Sequence, residues 1–275
     1  MEDDFKNIVS TDWLAQHLEA PDIRIIDSSW YFPQEKRNAG QEFLECHIPG
    51  ASFFDIDKIK DNDSDLPHML PPSAMFNSTV RKLGIGDGHK VVIYDGLGMR
   101  SAARLWWMFK VFGYSDVVVL DGGFPKWVKE NRSTTAEITE KEIRHLTIYE
   151  DKSIVADRDD VLRATKLNHC SIIDARSEGR FMGTAPEPRS GLRSGSIENS
   201  INVPYETLLN EDFTFKSKRE IIDIFSKKGV AFNNYIITTC GSGVTAAVLY
   251  LALDEIGCSK ISLYDGSWAE WGKID

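Results

Sequence analysis

The sequence predicts an α/β protein made of two similar domains, each a doubly wound, mostly parallel sheet with helices on both faces. Short runs rich in Val and Ile alternate with longer amphipathic segments, as in residues 91–94, 101–112 and 117–120. The short runs are continuously apolar, which is typical of strands covered on both faces. Ligands of such sheets bind at the carboxyl ends of the strands, so the residues that follow each strand are the first candidates for a site.

The same pattern occurs twice, at an offset of 147 residues for the first strand and 144 residues for the later pieces. Taken in chain order, the repeated pieces are a first strand (25–27 and 172–174), a second strand (91–94 and 235–238), a helix start (101–103 and 245–247) and an Asp-Gly-Gly or Asp-Gly-Ser turn (121–123 and 265–267). Each half has the size of an ordinary domain. The chain is therefore interpreted as a duplicated unit.

Domain boundaries follow from the repeat and from composition. We predict an N-terminal domain over residues 1–138 and a C-terminal domain over residues 153–275. Residues 139–152 are polar and charged with few apolar positions, which is typical of a connection between domains. A duplicated chain makes internally the interface that a homodimer makes between subunits, so we expect a monomer.

Composition and charge exclude several classes of function. The 275 residues are 42% hydrophobic and 27% charged, with a formal net charge of −10. Lys and Arg form no cluster, so a nucleic acid partner is not expected. The acidic residues 1–6 are not followed by an apolar core of signal-peptide length, and no stretch is long enough to span a membrane. We therefore expect neither export nor a membrane partner.

The cysteines indicate a reducing compartment. Cys46, Cys170, Cys240 and Cys258 lie far apart, and none belongs to a CxxC pair or has a histidine at ligand spacing. Neither a disulfide framework nor a structural zinc is indicated. We expect a cytoplasmic protein that uses no metal and no cofactor.

Residues 239–245 carry the most specific signal in the chain. They read Thr-Cys-Gly-Ser-Gly-Val-Thr, between a strand-like run at 235–237 and a helix-like run at 246–251. A cysteine at the end of a buried strand, followed by two glycines and a helix, receives backbone N–H groups and the positive end of a helix dipole. Such surroundings favour a thiolate and predict that Cys240 is a nucleophile. The alternative is a buried cysteine that acts as a small hydrophobe.

The corresponding loop of the first half lacks the nucleophile. Gly96 stands at the offset of Cys240, and Asp95 stands at the offset of Thr239. We interpret residues 95–98, Asp-Gly-Leu-Gly, as a turn between strand and helix. Only the second half is predicted to be catalytic at its own loop.

Together these residues resemble the tandem-domain rhodanese family. The resemblance covers nearly the whole chain and includes the duplicated unit, the loop at 240–245, the His-Ile-Pro-Gly-Ala run at 47–51 and the repeated Asp-Gly-Gly/Ser…Trp ending. Within this family, thiosulfate sulfurtransferases carry basic residues after the cysteine, whereas 3-mercaptopyruvate sulfurtransferases carry Gly-Ser-Gly. This chain is similar to the second group.

The resemblance implies the reaction and the residues that carry it out. The sulfur of 3-mercaptopyruvate would move to Cys240 as a persulfide and then to cyanide or a thiol such as thioredoxin or glutathione, with release of pyruvate. Arg180 and Arg189 would bind the substrate carboxylate and carbonyl, for which a planar guanidinium is suited. A relay of Asp57, His68 and Ser242 would move protons and stabilise the pyruvate enolate. The backbone N–H groups that would stabilise thiolate and persulfide belong to Gly241, Gly243, Val244 and Thr245.

Asp57 and His68 belong to the first half, so the relay implies a site in the cleft between the domains. Without the resemblance, His68 would be interpreted as a surface or capping residue. Residues 178–195, rich in Arg, Gly and Pro, suit either a ligand-binding loop or a solvated one. Trp30 is interpreted as a packing residue.

Three alternative functions make different predictions. A thiosulfate sulfurtransferase, the first alternative, predicts cationic side chains on the cysteine loop, which has none. A cysteine phosphatase needs an arginine after five intervening residues, where this chain has Ala246. A non-catalytic binding module of the same fold usually lacks the cysteine, which is present here. The residues of the cysteine loop therefore indicate function more specifically than the fold does.

Overall fold

The computed structural model describes residues 5–167 and 169–274, so the acidic residues 1–4 lie outside the described part. Each half of the chain forms one five-stranded sheet, and the ten strands pair in parallel throughout. The first sheet has the order β1-β5-β4-β2-β3, with β1 (Ile8–Val9), β2 (Ile23–Asp27), β3 (Ser52–Phe53), β4 (Lys90–Tyr94) and β5 (Val117–Leu120). The second has the order β6-β10-β9-β7-β8, with β6 (Val155–Ala156), β7 (Cys170–Asp174), β8 (Ser200–Asn202), β9 (Tyr235–Thr239) and β10 (Ile261–Tyr264). The predicted fold class is confirmed.

Ten α-helices surround the two sheets within the described residues. In the first half they are α1 (Thr11–Gln16), α2 (Ala39–Glu45), α3 (Ser73–Lys82), α4 (Ala102–Val111) and α5 (Gly123–Lys129). In the second half they are α6 (Arg158–Ala164), α7 (Glu178–Phe181), α8 (Lys218–Lys227), α9 (Ala246–Glu255) and α10 (Ser267–Trp271). Capping residues mark where some of them begin. At α8, for example, Ser217 and Glu220 form a capping box. None of these helices has the length and apolar character needed to cross a bilayer.

Helices α4 and α9 form the centre of the molecule. Both follow the middle strand of their sheet, and both are buried on nearly every side. A helix that is apolar all round must be covered on all sides, and here the two helices cover each other. The Trp106 ring of α4 lies 6.0 Å from the Tyr250 ring of α9. One hydrophobic core therefore runs through both halves, and the loops that precede α4 and α9 lie at its edge.

Residues 136–151 contain no helix or strand in the described structure and run along the first half. Leu146 is 2% exposed within the main core, and the Tyr149 N–H donates to the Phe112 carbonyl at 3.1 Å. Thr147 donates two hydrogen bonds to Asp87. The predicted connection is thus attached to the N-terminal half by specific contacts, while the domain boundaries themselves stay a prediction.

Each half also extends an arm onto the other half. The first arm, residues 57–70, is held there by a hydrogen bond from the Leu70 N–H to Asp265 of the second half, at 2.8 Å. The second arm, residues 205–216, is held by a hydrogen bond from the Phe215 N–H to Asp121 of the first half, at 2.9 Å. Asp121 and Asp265 are the repeated aspartates of the Asp-Gly turns, so the two contacts are equivalent within the duplicated chain.

Candidate active site

Cys240 lies at the carboxyl end of β9, the middle strand of the second sheet, and is 2% exposed. The start of α10 fixes its backbone. The N–H groups of Trp268 and Ala269 donate to the carbonyls of Cys240 and Gly241 at 2.9 and 2.8 Å. The Ser267 hydroxyl accepts the Cys240 N–H at 3.2 Å. The cysteine is therefore held in place by the Asp-Gly-Ser turn at 265–267, which has its equivalent at 121–123 in the first half.

The equivalent loop of the first half shows what such a loop binds. The Asp95 carboxylate accepts the N–H groups of Leu97, Arg100, Ser101 and Ala102 at 2.7–2.8 Å. The turn predicted at 95–98 is present, and in addition its own carboxylate fills a cradle of N–H groups. This first loop is an anion site occupied by the protein itself.

In the second half the cradle has no such internal anion. Thr239 stands where Asp95 stands in the repeat and carries no carboxylate. Across the described residues, the N–H groups of positions 241, 244 and 245 donate to no protein acceptor. The Gly243 N–H is different, because it donates to the Ser267 hydroxyl at 3.1 Å. Three of the four predicted loop donors thus have no protein acceptor among the described residues, whereas the Gly243 N–H has one.

The predicted relay residues come together across the two halves. His68 Nδ1 lies 2.9 Å from the Ser242 hydroxyl, and His68 Nε2 lies 2.8 Å from Asp57 Oδ1. His68 is 4% exposed, whereas the Asp57 side chain is 61% exposed. Trp30, interpreted from sequence as a packing residue only, donates its indole N–H to Asp57 Oδ2 at 3.1 Å and packs edge-on against the His68 ring. The relay therefore leads from the cysteine loop to the surface.

Electrostatics assigns the protons of this relay. Burial lowers the pKa of His68 below its ordinary value of 6.5, even though Asp57 acts in the opposite direction. Burial acts to raise the pKa of Asp57, but hydrogen bonds from His68 and Trp30 outweigh it and leave that pKa below its ordinary value. An ionised carboxylate only accepts, so neutral His68 donates from Nε2 to Asp57 and accepts the Ser242 proton at Nδ1.

Residues 176–195 contain four arginines, and two of them, Arg180 and Arg189, lie near the cysteine loop. Arg180 donates to Glu187 Oε2 at 2.6 Å, and its Nη2 lies 2.9 Å from the place that a Cβ on Gly241 would take. Arg189 makes no hydrogen bond or ion pair with any described residue, and its charge is attracted to Cys240 and Asp57. The Arg180 guanidinium thus lies beside the loop with its partner fixed, while that of Arg189 is available to a ligand.

The other two arginines have structural partners. Arg176 is completely buried, pairs with Asp174 at 2.7 Å and with Glu187 at 2.8 Å, and so supports the residue that holds Arg180. The Arg193 guanidinium lies 4.6 Å above the Trp268 ring. Two arginines of the segment therefore support its structure, and ligand binding by Arg180 and Arg189 stays a prediction.

Two residues beside the cysteine loop, Arg104 and Asp265, were not among the predicted site residues. Arg104 lies on α4 of the first half, is 0% exposed, and reaches Asp265 at 2.7 Å and the Gly243 carbonyl at 3.4 Å. A signal was present, because an arginine inside an otherwise apolar helix must have a buried partner. The sequence does not reveal that this partner lies in the other half.

We expect a Gly243→Ala variant to lose both stability and activity. Gly243 has a φ of +77°, and a Cβ there would lie 2.9 Å from Arg104 Nη1 and 3.0 Å from the Asp265 carbonyl. The left-handed backbone alone costs an alanine about 1–2 kcal/mol. Gly50→Ala is the matched control, because Gly50 has the same φ of +77° with nothing within 4 Å. Denaturant unfolding should give a larger loss for Gly243→Ala, and equal losses would contradict the packing argument.

Comparison with known proteins agrees with this architecture. The family model described as a rhodanese-like domain matches residues 10–130 and again residues 157–274. The chain is 40% identical to the 3-mercaptopyruvate sulfurtransferase of Mus musculus, over 97% of this chain and 92% of that protein. It is 41% identical to the thiosulfate sulfurtransferase of Rattus norvegicus, also over 97% and 92%. The solved structure of SseA from Escherichia coli, described as a 3-mercaptopyruvate sulfotransferase with the rhodanese fold, superposes with a TM-score of 0.87 at 40% identity, over 96% of this chain and 99% of that one.

Proposed function

This chain belongs to the rhodanese-like domain family, and from that premise we propose that it is a sulfurtransferase that takes its sulfur from 3-mercaptopyruvate. Identity alone separates the two activities among its relatives poorly, at 40% and 41%. The observation that carries the proposal is the cysteine loop itself. Residues 241–245 hold no cationic side chain, and Ser242 of this loop is hydrogen-bonded to His68. Such a loop suits 3-mercaptopyruvate, a monoanion whose reaction needs a proton relay, better than it suits thiosulfate, a dianion.

The first half-reaction transfers sulfur to the enzyme. The Cys240 thiolate attacks the thiol sulfur of 3-mercaptopyruvate, a sulfur–sulfur bond forms, and the carbon–sulfur bond breaks to leave pyruvate enolate. The proton on the substrate sulfur is released and the enolate carbon takes up one proton, so the products are a Cys240 persulfide anion and pyruvate. Ser242, His68 and Asp57 lie in line to move that proton.

Substrate binding divides between side chains and backbone. Arg189, which has no ion-pair partner in the described structure, takes the substrate carboxylate, and Arg180 donates to the carboxylate or carbonyl from beside Gly241. The free N–H groups of the loop stabilise the thiolate before the transfer and the persulfide after it. The first half supports this assignment, because its equivalent N–H groups bind the Asp95 carboxylate.

The second half-reaction returns the enzyme to its thiolate. An acceptor thiolate attacks the outer sulfur of the persulfide, takes that sulfur and leaves the Cys240 thiolate. Thioredoxin and glutathione are the thiol acceptors we propose, and cyanide would be converted to thiocyanate by the same step. The cysteines Cys46, Cys170, Cys240 and Cys258 are all free, which supports a reducing compartment such as the cytoplasm. A monomer is proposed because the site is built within one chain.

The proposal is tested by substrate preference. We expect kcat/KM for 3-mercaptopyruvate to exceed that for thiosulfate by at least about tenfold with one reduced-thiol acceptor, which corresponds to about 1.4 kcal/mol of transition-state discrimination. A preference for thiosulfate would replace the proposal with the second candidate function, which the relative at 41% identity favours. Turnover of neither donor would favour a binding module.

The pH profile tests the relay. Because the pKa of His68 lies below 6.5 and its neutral form must accept the Ser242 proton, kcat/KM should fall on the acid side only below that pH. Asp57 raises the pKa of His68, so Asp57→Asn removes that effect. We expect this variant to lower the plateau of kcat/KM and to move the acid limb to lower pH. An acid limb that stays in place would mean that another group controls it.

A further inference from the structure

We propose that Arg104 is the positioning residue that holds His68 against Ser242, an assignment that rests on the proposed function. Arg104 lies on α4 of the first half and is 0% exposed. Its Nη2 donates to the His68 carbonyl at 2.5 Å and to Asp265 Oδ1 at 2.7 Å. It touches neither Cys240 nor the His68 ring in the hydrogen bonds described, so its effect acts through the backbone.

The pair formed by Arg104 and Asp265 holds the first arm on both sides of His68. Arg104 binds the His68 carbonyl, and the other oxygen of Asp265 accepts the Leu70 N–H at 2.8 Å. His68 has a φ of +60°, in the left-handed region that non-glycine residues adopt only when their surroundings enforce it. These two contacts hold the backbone in that conformation and so direct the imidazole ring toward Ser242.

The same guanidinium also fixes the cysteine loop. Arg104 Nη1 lies 3.4 Å from the Gly243 carbonyl, directly after Ser242, and the guanidinium lies 4.7 Å above the Trp107 ring. One rigid, planar group therefore contacts the residue that carries the imidazole and the loop that carries the hydroxyl. The 2.9 Å contact between His68 and Ser242 depends on this shared support.

The repeat provides an internal comparison that separates positioning from simple docking. The second arm docks through the Phe215 N–H and Asp121, just as the first arm docks through Leu70 and Asp265. Its Phe213 stands two residues before the docking N–H, as His68 does, and has a similar φ of +66°. The repeat equivalent of Arg104 is Val248, which has no guanidinium. The fold therefore docks an arm without an arginine, and the arginine occurs only where the arm carries the relay histidine.

The test is a double variant, Arg104→Met with Asp265→Asn. It removes both buried charges together, and the asparagine oxygen still accepts the Leu70 N–H, so the arm can dock. We expect kcat with 3-mercaptopyruvate to fall about 100-fold, since a misplacement of about 1 Å costs roughly that much. KM should stay within about threefold because Arg180 and Arg189 are untouched.

Arg100→Met is the matched control. Arg100 also joins the halves, by donating to the Tyr205 hydroxyl at 3.3 Å, but it does not contact the first arm. We expect it to lower the melting temperature and leave kcat within about twofold. If both variants lose kcat equally, the loss reflects the domain interface in general and the proposal is overturned.

A second measurement does not depend on the substrate. In protein labelled with ¹⁵N-histidine, a His68→Gln spectrum identifies the His68 signals, and the double variant should lose the single neutral tautomer of the wild type. If wild type fails to turn over 3-mercaptopyruvate, the proposed function fails while this spectrum still tests Arg104. Unchanged His68 signals with kcat within about twofold would overturn the proposal. Should the double variant not fold, Arg104→Lys, whose ammonium cannot span both carbonyls, is expected to lose about tenfold in kcat, and an unchanged kcat would overturn the proposal in the same way.

Discussion

Replacing Cys240 by serine is expected to lower kcat with 3-mercaptopyruvate by at least about 1,000-fold, because a serine hydroxyl is a poor nucleophile at neutral pH and cannot form a persulfide. The loop geometry should survive, since the Cys240 backbone is fixed by Ser267 and Trp268 rather than by the sulfur. The measurement is pyruvate release over time, together with the mass of the protein after donor is added without acceptor. Wild type should gain the mass of one sulfur atom and the variant should not.

Cys46→Ser is the control for this experiment. Cys46 is the exposed cysteine of the first half and lies outside the site described above. We expect it to keep the activity and the sulfur mass increase of the wild type. A Cys240→Ser variant that still gains a sulfur atom would mean that another thiol carries the persulfide, and the site would have to be assigned again.

The fold was predictable because the same pattern of strands, helices and turns occurs twice in the sequence. The continuously apolar runs at 91–94 and 235–237 became the middle strands β4 and β9, and the repeated Asp-Gly turns became the starts of α5 and α10. The edge strands β1, β3 and β6 were not predicted, since two residues are too few to leave a pattern in sequence. Such strands are defined by the neighbour with which they pair.

Beyond the cysteine loop, the site was predictable only through the family resemblance. Cys240 and its loop follow from the strand, glycine and helix pattern, but no local pattern links His68 to a serine 174 positions away. Arg104 and Trp30 were missed because an arginine or tryptophan in an apolar run does not show which partner its N–H groups will find. Comparing the two halves residue by residue is the signal that could have found Arg104, because its equivalent is the apolar Val248.

The same comparison explains what the first half contributes. Its loop has Gly96 where the second half has Cys240, and its own cradle is closed by Asp95. It nevertheless supplies Asp57, Trp30 and His68, whose contacts end at Ser242 of the second half. The proposed relay therefore needs residues of both halves, and we expect neither half to transfer sulfur alone.

Thr239→Asp should convert the active loop into a copy of the inactive one. The new carboxylate would stand where Asp95 stands and would accept the N–H groups that we propose stabilise the Cys240 thiolate. Loss of one such donor costs on the order of 10²–10³-fold in kcat, and a second negative charge beside the thiolate adds to the cost. We expect kcat/KM to fall at least about 1,000-fold while the fold is retained, because Asp95 is accommodated in the same setting.

Thr239→Val separates the carboxylate from the loss of the threonine hydroxyl. That hydroxyl makes one long contact, 3.4 Å to Ser267, so the valine variant should keep kcat/KM within about threefold. The rate of Cys240 alkylation by iodoacetamide gives a second readout, and it should fall in the aspartate variant only. If Thr239→Asp instead kept its alkylation rate and its turnover, the loop N–H groups could not be what stabilises the thiolate. The positive charges of Arg180 and Arg189 beside the loop would then have to carry that role.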